Sequence, residues 1–478
     1  MSTEYLSPQL FIDGEFIDGK RETLPVVEPA TGAAIGQLPI ATQPDLDRAL
    51  EASVKGFATW RRTSAYDRGK IMKRAADLLR ERVDTLATQL TREQGKPLPE
   101  ARAEIGMAAD VIEWFGEEGK RAYGRVIPSR TAGGRQVVLR EPVGPVAAFS
   151  PWNFPILSPS RKIAAALGAG CSCIVKPSEE TPASALAVAK AFQDAGLPAG
   201  VLGVVFGPPA NISSHLLASP IIRKLTFTGS TAVGKHLAKL AADTVKRTTM
   251  ELGGHSPFVV FDDADIDRVA DIAVASKYRN AGQVCVSPTR FLVQKNSFNR
   301  FVDRFVEKTE QIVVGNGLDE KTMMASTANP RRVDSIQSLI DDAKSHGAKL
   351  RTGGDRIGNH GFYLRPAVVT EAPNEARVMN EEPFGPLAII NPFDSFDDAV
   401  AAANRLPFGL AAYAFTSANA TALALGDALE AGVIGINTMA IATSETPFGG
   451  MKESGYGSEG GLEGLDGYLA TKFVNQVA

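Results

Sequence analysis

The stretch "PVAAFSPWNFPILSPSRKIAAALGAGCSCIVKPSEE", residues 145–180, reads as strand, stiff turn, helix, strand and polar turn. "PVAAFS" and "SCIVKP" are short apolar runs bounded by Pro and Ser, the pattern of buried strands. "SRKIAAALGAG" between them is a helix closed by Gly. The alternation continues to residue 262, with "LGVVFG", "KLTFTG" and "PFVVFD" as strands. "TPASALAVAKAFQDAGL" and "TAVGKHLAKLAADTV" are the intervening helices. Such alternation implies an α/β fold, a parallel sheet with helices on its faces. Ligands of these sheets bind beyond the carboxyl ends of the strands. "PWNFP", "KPSEE" and "FTGS" all fall there.

Upstream, residues 44–123 carry apolar residues at three- and four-residue spacing and read as helices. Residues 124–142, "GRVIPSRTAGGRQVVLREP", change to two β-rich runs around "TAGG", a hairpin or extended arm. A second alternating region spans about 264–447. The tail "DGYLATKFVNQV" reads as one more strand, able to pair with the arm.

The composition narrows the function classes. Of 478 residues, 44% are hydrophobic and 22% charged, ordinary for a globular protein. The formal net charge of −3 gives no basic field to hold nucleic acid. Three cysteines cannot form a disulfide framework and indicate a reducing, cytoplasmic setting. Cys171 and Cys173 are expected to be packing residues. The first residues, "MSTEYLSPQLFIDGEF", lack the charged start and apolar run of a secretion signal. No apolar run is long enough to span a membrane. The five histidines form no ligand pair, so no metal site is expected.

The third cysteine, Cys285, lies in "RNAGQVCVSPTR" (279–290), a polar, glycine-containing turn. A reactive thiolate needs such partial access and polar neighbours. Gly229 and Ser230 of "FTGSTAVG" make a strand–helix turn in which Ser230 can cap the helix. Backbone N–H groups at a helix start suit a phosphate, though many such turns hold no ligand. Lys176 and Glu179 of "IVKPSEE" could hold ribose hydroxyls or form a solvated loop. Glu251 in "MELGGHSP" is a candidate general base. Asn153, fixed between two prolines, is a candidate oxyanion donor.

Together, "PWNFP", "KPSE", "FTGS…VG", "ELGG", "GQVC", "EEPFGP" and "PFGGMKESGYG" resemble the aldehyde dehydrogenase superfamily over nearly the whole chain, in order and spacing. The resemblance implies a Rossmann-like dinucleotide-binding domain (1–123 and 143–253) and an α/β catalytic domain (254–453). It implies an oligomerisation arm with a C-terminal strand (124–142 and 454–478) and a homodimer or homotetramer. It makes Cys285 the nucleophile and Glu251 the base for thioester hydrolysis. Asn153 and the Cys285 N–H become the oxyanion donors. It places NAD, or NADP, against Trp152, Lys176, Glu179, Gly207, Gly229, Ser230, Leu252, Glu382 and Phe384. NAD is expected to be preferred, because Glu179 would repel a 2′-phosphate.

"SPSRKIAAALGAGC" and "SKYRNAGQVC" are most similar to the succinic semialdehyde dehydrogenase branch, where an arginine in each segment binds the substrate's far carboxylate. Arg161 and Arg279 match. Arginine's planar fork meets a carboxylate bidentately. Ser287 stands where some members of the branch carry a second cysteine, so their disulfide switch is not expected. "NTMAIATSETPFGG" departs from the branch and would line the pocket through Thr443 or Ser444. That leaves glutarate and 2-oxoglutarate semialdehydes, neutral aldehydes and bulkier ring aldehydes open. A non-redox cysteine hydrolase or acyltransferase is the rival class, but it leaves the nucleotide motifs idle.

Overall fold

A computed structural model of the chain describes residues 5–19 and 21–477. Residues 1–4 of the amino-terminal stretch, residue 20 and residue 478 lie outside the described residues.

Two large sheets organise the molecule. The first has eight strands, in the order 15–17, 10–12, 202–204, 173–176, 146–149, 224–228, 247–251 and 455–456. Its five central strands are mutually parallel and its outer pairings antiparallel. The chain builds outward from 146–149 to 202–204, then returns to add 224–228 on the other side of 146–149. A crevice opens where the order reverses, between the carboxyl ends of 146–149 and 224–228.

The strand Arg247–Glu251 escapes the sequence pattern because its residues, "RTTME", are mostly polar. Its parallel register with 224–228 puts Glu251 directly beside Thr228 at that crevice. "PFVVFD" differs from expectation in another way. Its strand, Ser256–Val260, joins the second sheet, because Gly253 and Gly254 let the chain cross over immediately after Glu251.

The second sheet has seven strands, in the order 349–352, 367–370, 387–393, 288–294, 256–260, 411–415 and 433–436. Only the 349–352 edge is antiparallel. Apolar residues cover both of its faces, as parallel sheets require.

The helix Leu157–Ala169 follows the "PWNFP" turn and is buried on all sides; of its residues only Arg161 is not buried. A helix apolar all round belongs in a core, so its single outward cation is conspicuous. Gly170 ends it with φ of 96°, a left-handed cap that glycine adopts without strain. The arm is formed by Arg125–Ile127 and Arg135–Pro142, and the C-terminal strand Leu469–Gln476 pairs antiparallel with the latter along its whole length. Among the described residues no helix is long and apolar enough to cross a membrane.

Candidate active site

A cavity of about 750 Å³ lies between the two sheets. The first sheet meets it with carboxyl ends: Pro151, Trp152 and Asn153 follow one strand, Thr228, Gly229 and Ser230 end another, and Glu251 ends a third. The second sheet meets it with the starts of its strands. Cys285 precedes 288–294, Glu382 and Phe384 precede 387–393, and Leu410 precedes 411–415.

Cys285 is half-buried on the cavity wall. Its loop begins with an unusual turn: Asn280, Ala281 and Gly282 have φ of 48°, 50° and 72°. Left-handed backbone costs a non-glycine residue about 1 kcal/mol or more, and neighbours hold it in place. Asn280 N–H donates to Glu100 at 2.9 Å, and the Gln94 amide donates to the Asn280 side chain at 2.9 Å. Burial and the nearby Glu382 and Glu251 carboxylates push the Cys285 thiol up to about 12, while Arg161 and the Val286 N–H favour the thiolate.

Asn153 is buried, and its amide donates to the Gln283 carbonyl at 3.1 Å, two residues ahead of the nucleophile. The amide's second N–H remains for another acceptor. Glu251 is 2% exposed, and among the described residues neither of its carboxylate oxygens has a hydrogen-bond partner. Burial and the Glu459 carboxylate raise its pKa well above the usual range, while Lys162 and Arg161 oppose them. Lys162 itself is buried, bonded to Thr228 Oγ1 at 2.6 Å and paired with Glu459.

Glu382 accepts from the Gly254 N–H and is pushed up to about 7, chiefly by burial, with Arg332 and Lys277 opposing. A Cβ on Gly253 would stand 2.7 Å from its carboxylate, so any larger residue there would push that carboxylate aside. Phe384 has a φ of 44° and meets Trp152 edge-on at 5.5 Å between ring centroids. A strained aromatic residue at a cavity wall is a recurring mark of a functional site.

Arg161 and Arg279 line the same cavity. Among the described residues neither side chain has an ion-pair or hydrogen-bond partner. Each guanidinium instead faces a ring: Arg161 over Phe448 at 4.5 Å and Arg279 over Phe154 at 5.9 Å. Thr443 lines the cavity and also a neighbouring one of about 570 Å³, whereas Ser444 borders only the neighbour.

The remaining candidates run along the first sheet's carboxyl edge. Ser230 is the N-cap of the helix Thr231–Ala242, but its hydroxyl makes no capping bond, contrary to the expectation from sequence. It is exposed, and the first N–H groups of the helix stay open. Leu252 packs against that helix, where a Cβ on Gly234 would strike it at 2.3 Å. Lys176 and Glu179 pair with each other at the next strand end but one, and Gly207, with φ of 145°, follows the strand beyond. These three do not line the main cavity.

Sequence reasoning missed Lys162, Glu459 and the apolar lining from Met107, Phe154, Tyr413, Phe448, Met439 and Ile441. Lys162 stood next to Arg161 inside an otherwise apolar helix, which was a usable signal. Glu459 carried none, because its partner is far away in sequence.

The sequence model of the aldehyde dehydrogenase family matches residues 16–474. The chain is 46% identical over 475 residues to 4-(hydroxymethyl)benzenesulfonate dehydrogenase TsaD1 of Comamonas testosteroni, covering 99% of each chain. It is 43% identical over 464 residues to the succinate semialdehyde dehydrogenase of Acinetobacter baylyi, covering 97% of this chain and 96% of that one. The crystal structure of an NADP dependent enzyme from E. coli superposes with a TM-score of 0.97 at 40% identity, covering 99% and 98%. A cavity holding a thiol, an unpartnered carboxyl and an amide between these two sheets thus comes with likeness over the full length, and the chain belongs to the aldehyde dehydrogenase family, whose members oxidise aldehydes with NAD(P).

Proposed function

We propose that this enzyme oxidises a short aldehyde bearing a carboxylate at its far end, with succinic semialdehyde as the first choice. The observation that carries the reading is the pair Arg161 and Arg279, on the cavity wall with Cys285 and, among the described residues, without an ion-pair or hydrogen-bond partner. Two cations facing a partly enclosed space favour an anionic guest.

In this reading Cys285 attacks the aldehyde carbon, and the Asn153 amide and the Cys285 N–H receive the oxyanion. When bound, the nicotinamide cofactor supplies the hydride acceptor. Glu251 then takes a proton from the water that hydrolyses the Cys285 thioester. Its orphaned oxygens support that role, since none of the described residues hydrogen-bonds to them.

The residues present fit NAD(P). The uncapped start of Thr231–Ala242 suits the pyrophosphate, and the Lys176–Glu179 pair suits the adenosine ribose, with Gly207 near the adenine. Gly229 and Leu252 would pack beside the cofactor. Glu382 and Phe384, with Trp152, would receive the nicotinamide ribose and ring. NAD is preferred over NADP in this proposal, because Glu179 accepts from a 2′-hydroxyl and repels a phosphate. The proposed division is nucleotide unit (1–123, 143–253), catalytic unit (254–453) and association arm (124–142, 454–478). Exposed Val126 and Phe473 on the arm sheet support self-association as a dimer or tetramer. A cytoplasmic location goes with the free thiols.

A second reading has its own support. The aromatic and thioether walls, and the similarity to a protein named for benzenesulfonate chemistry, favour a ring aldehyde with a para anionic group. The deciding experiment measures kcat/KM for succinic semialdehyde, 4-formylbenzenesulfonate and butanal with each cofactor. A preference for butanal would rule out both anionic readings.

A further inference from the structure

Lys96 and Glu104 form an ion pair that is 1% and 0% exposed, at 2.6 Å, behind the cavity wall. Burying such a pair is costly, and apolar replacements often serve stability equally well, so its partners matter. They all lie on the "PWNFP" turn or beside it. Lys96 Nζ also donates to the Asn153 carbonyl at 2.8 Å and sits over the Phe154 ring at 4.2 Å. The other Glu104 oxygen accepts from the N–H groups of Ile156 and Leu157 at 2.8 and 3.1 Å. One carboxylate and one ammonium therefore clamp both ends of the turn. The second lone pair of the Asn153 carbonyl is taken by the Asn280 amide at 3.0 Å, which ties the turn to the strained loop leading to Cys285.

We propose that Lys96 and Glu104 are positioning residues for the reaction, acting through Asn153. The clamp fixes the backbone of Asn153 at one end and the start of the next helix at the other, so the side-chain amide is held against Gln283 O on the wall of the cavity that Cys285 also lines. This rests on the reading of Asn153 as an oxyanion donor. Loss of one such donor costs roughly a hundredfold to a thousandfold in other acyl-transfer enzymes, and a misplaced donor costs less.

The test uses the full-length enzyme carrying Glu104→Gln, Lys96→Met or Asn153→Ala, and the double variant Glu104→Gln/Asn153→Ala. Two rates are read: the first-turnover burst of reduced cofactor with aldehyde, and alkylation of Cys285 by iodoacetamide. Alkylation develops no oxyanion on the substrate, so a merely loosened fold would slow both, whereas a misplaced amide slows only the burst. Expected are roughly tenfold to hundredfold losses of burst rate in each clamp variant, alkylation changed by less than about twofold, and little further loss from Glu104→Gln once Asn153 is Ala. Should Lys96→Met not fold, Glu104→Gln carries the test, because glutamine keeps an oxygen for Ile156 and Leu157. Additive losses in the double variant, a parallel fall in alkylation, or an unchanged burst in Glu104→Gln would overturn the proposal. A silent Asn153→Ala would instead remove the oxyanion reading beneath it.

Discussion

The two walls of the cavity follow opposite rules. Around Asn153, the side chains of Lys96, Glu104, Asn280 and Gln283 commit their polar atoms to one another and to nearby backbone. Around Arg161, Arg279 and Glu251, polar atoms face the cavity with no hydrogen-bond or ion-pair partner among the described residues. A buried polar group left unbonded costs about 1–3 kcal/mol, so proteins keep few of them, and those kept need a reason. The bonded wall sets geometry, and the unbonded wall is where substrate, water and charge meet the protein.

The contrast breaks most completely at the nucleophile. Cys285→Ala is expected to reduce aldehyde oxidation by at least roughly a thousandfold while the affinity for NAD, read by fluorescence titration, stays within about twofold. Substantial turnover in the variant would end the covalent mechanism.

Glu251 tests the unbonded wall directly. Glu251→Gln should lower steady-state turnover by roughly a hundredfold to a thousandfold while a burst of reduced cofactor persists, since hydrolysis suffers more than acylation. Equal losses of burst and steady state would place Glu251 elsewhere. In the unchanged enzyme, the Cys285 thiol, pushed up to about 12, means that activity climbs as pH rises above neutrality, and the raised Glu251 pKa acts in the same direction, because both must lose a proton to act.

The arginines should show a smaller but selective effect. A charge-assisted hydrogen bond contributes about 1.5–3 kcal/mol, so Arg161→Ala or Arg279→Ala should reduce kcat/KM for succinic semialdehyde by roughly tenfold to a hundredfold. Butanal should change little. Equal losses on both substrates would make the arginines supports of the loop rather than anion receptors.

The smallest effect concerns charge between Glu382 and the thiol. The Glu382 carboxylate raises the Cys285 pKa, and its own proton leaves at about 7. Glu382→Gln should therefore speed iodoacetamide alkylation at pH 8 by roughly threefold to tenfold. At pH 6 the two proteins should react alike, because Glu382 then already carries its proton. A difference that persists at pH 6 would point to altered access instead of charge.

Much of this was legible in the chain. The apolar runs at 146–149, 173–176, 202–204 and 224–228, and the helices between them, followed directly from period and punctuation. Cys285, Glu251, Asn153, Arg161 and Arg279 were identified from motifs, and the structure gathers all five on one cavity. What stayed hidden has physical causes. The strand 247–251 carries polar residues that no hydrophobic pattern reports. Ser230 looked like a cap but leaves its helix open. The Lys96–Glu104 clamp reads in sequence as an ordinary charged helix, since only the fold brings the "PWNFP" turn against it. The cavity walls from Met439 and Ile441 came from the segment that departs from the semialdehyde branch.

The pairing of Lys162 with Glu459 joins residues 297 positions apart. On a ribosome, Lys162 emerges long before Glu459, and the central part of the first sheet is made while that lysine lacks its ion-pair partner. Removing the bonded partner of a buried cation is destabilising by about 3–5 kcal/mol, so the packing around Lys162 is completed only when Glu459 arrives. Arg247 and Cys171 likewise wait for the backbone carbonyls of Leu469 and Tyr468. Synthesis order and assembly order are thereby separated, and shortened chains ending before residue 459 should be cleared as unfinished protein rather than persist as folded but inactive enzyme.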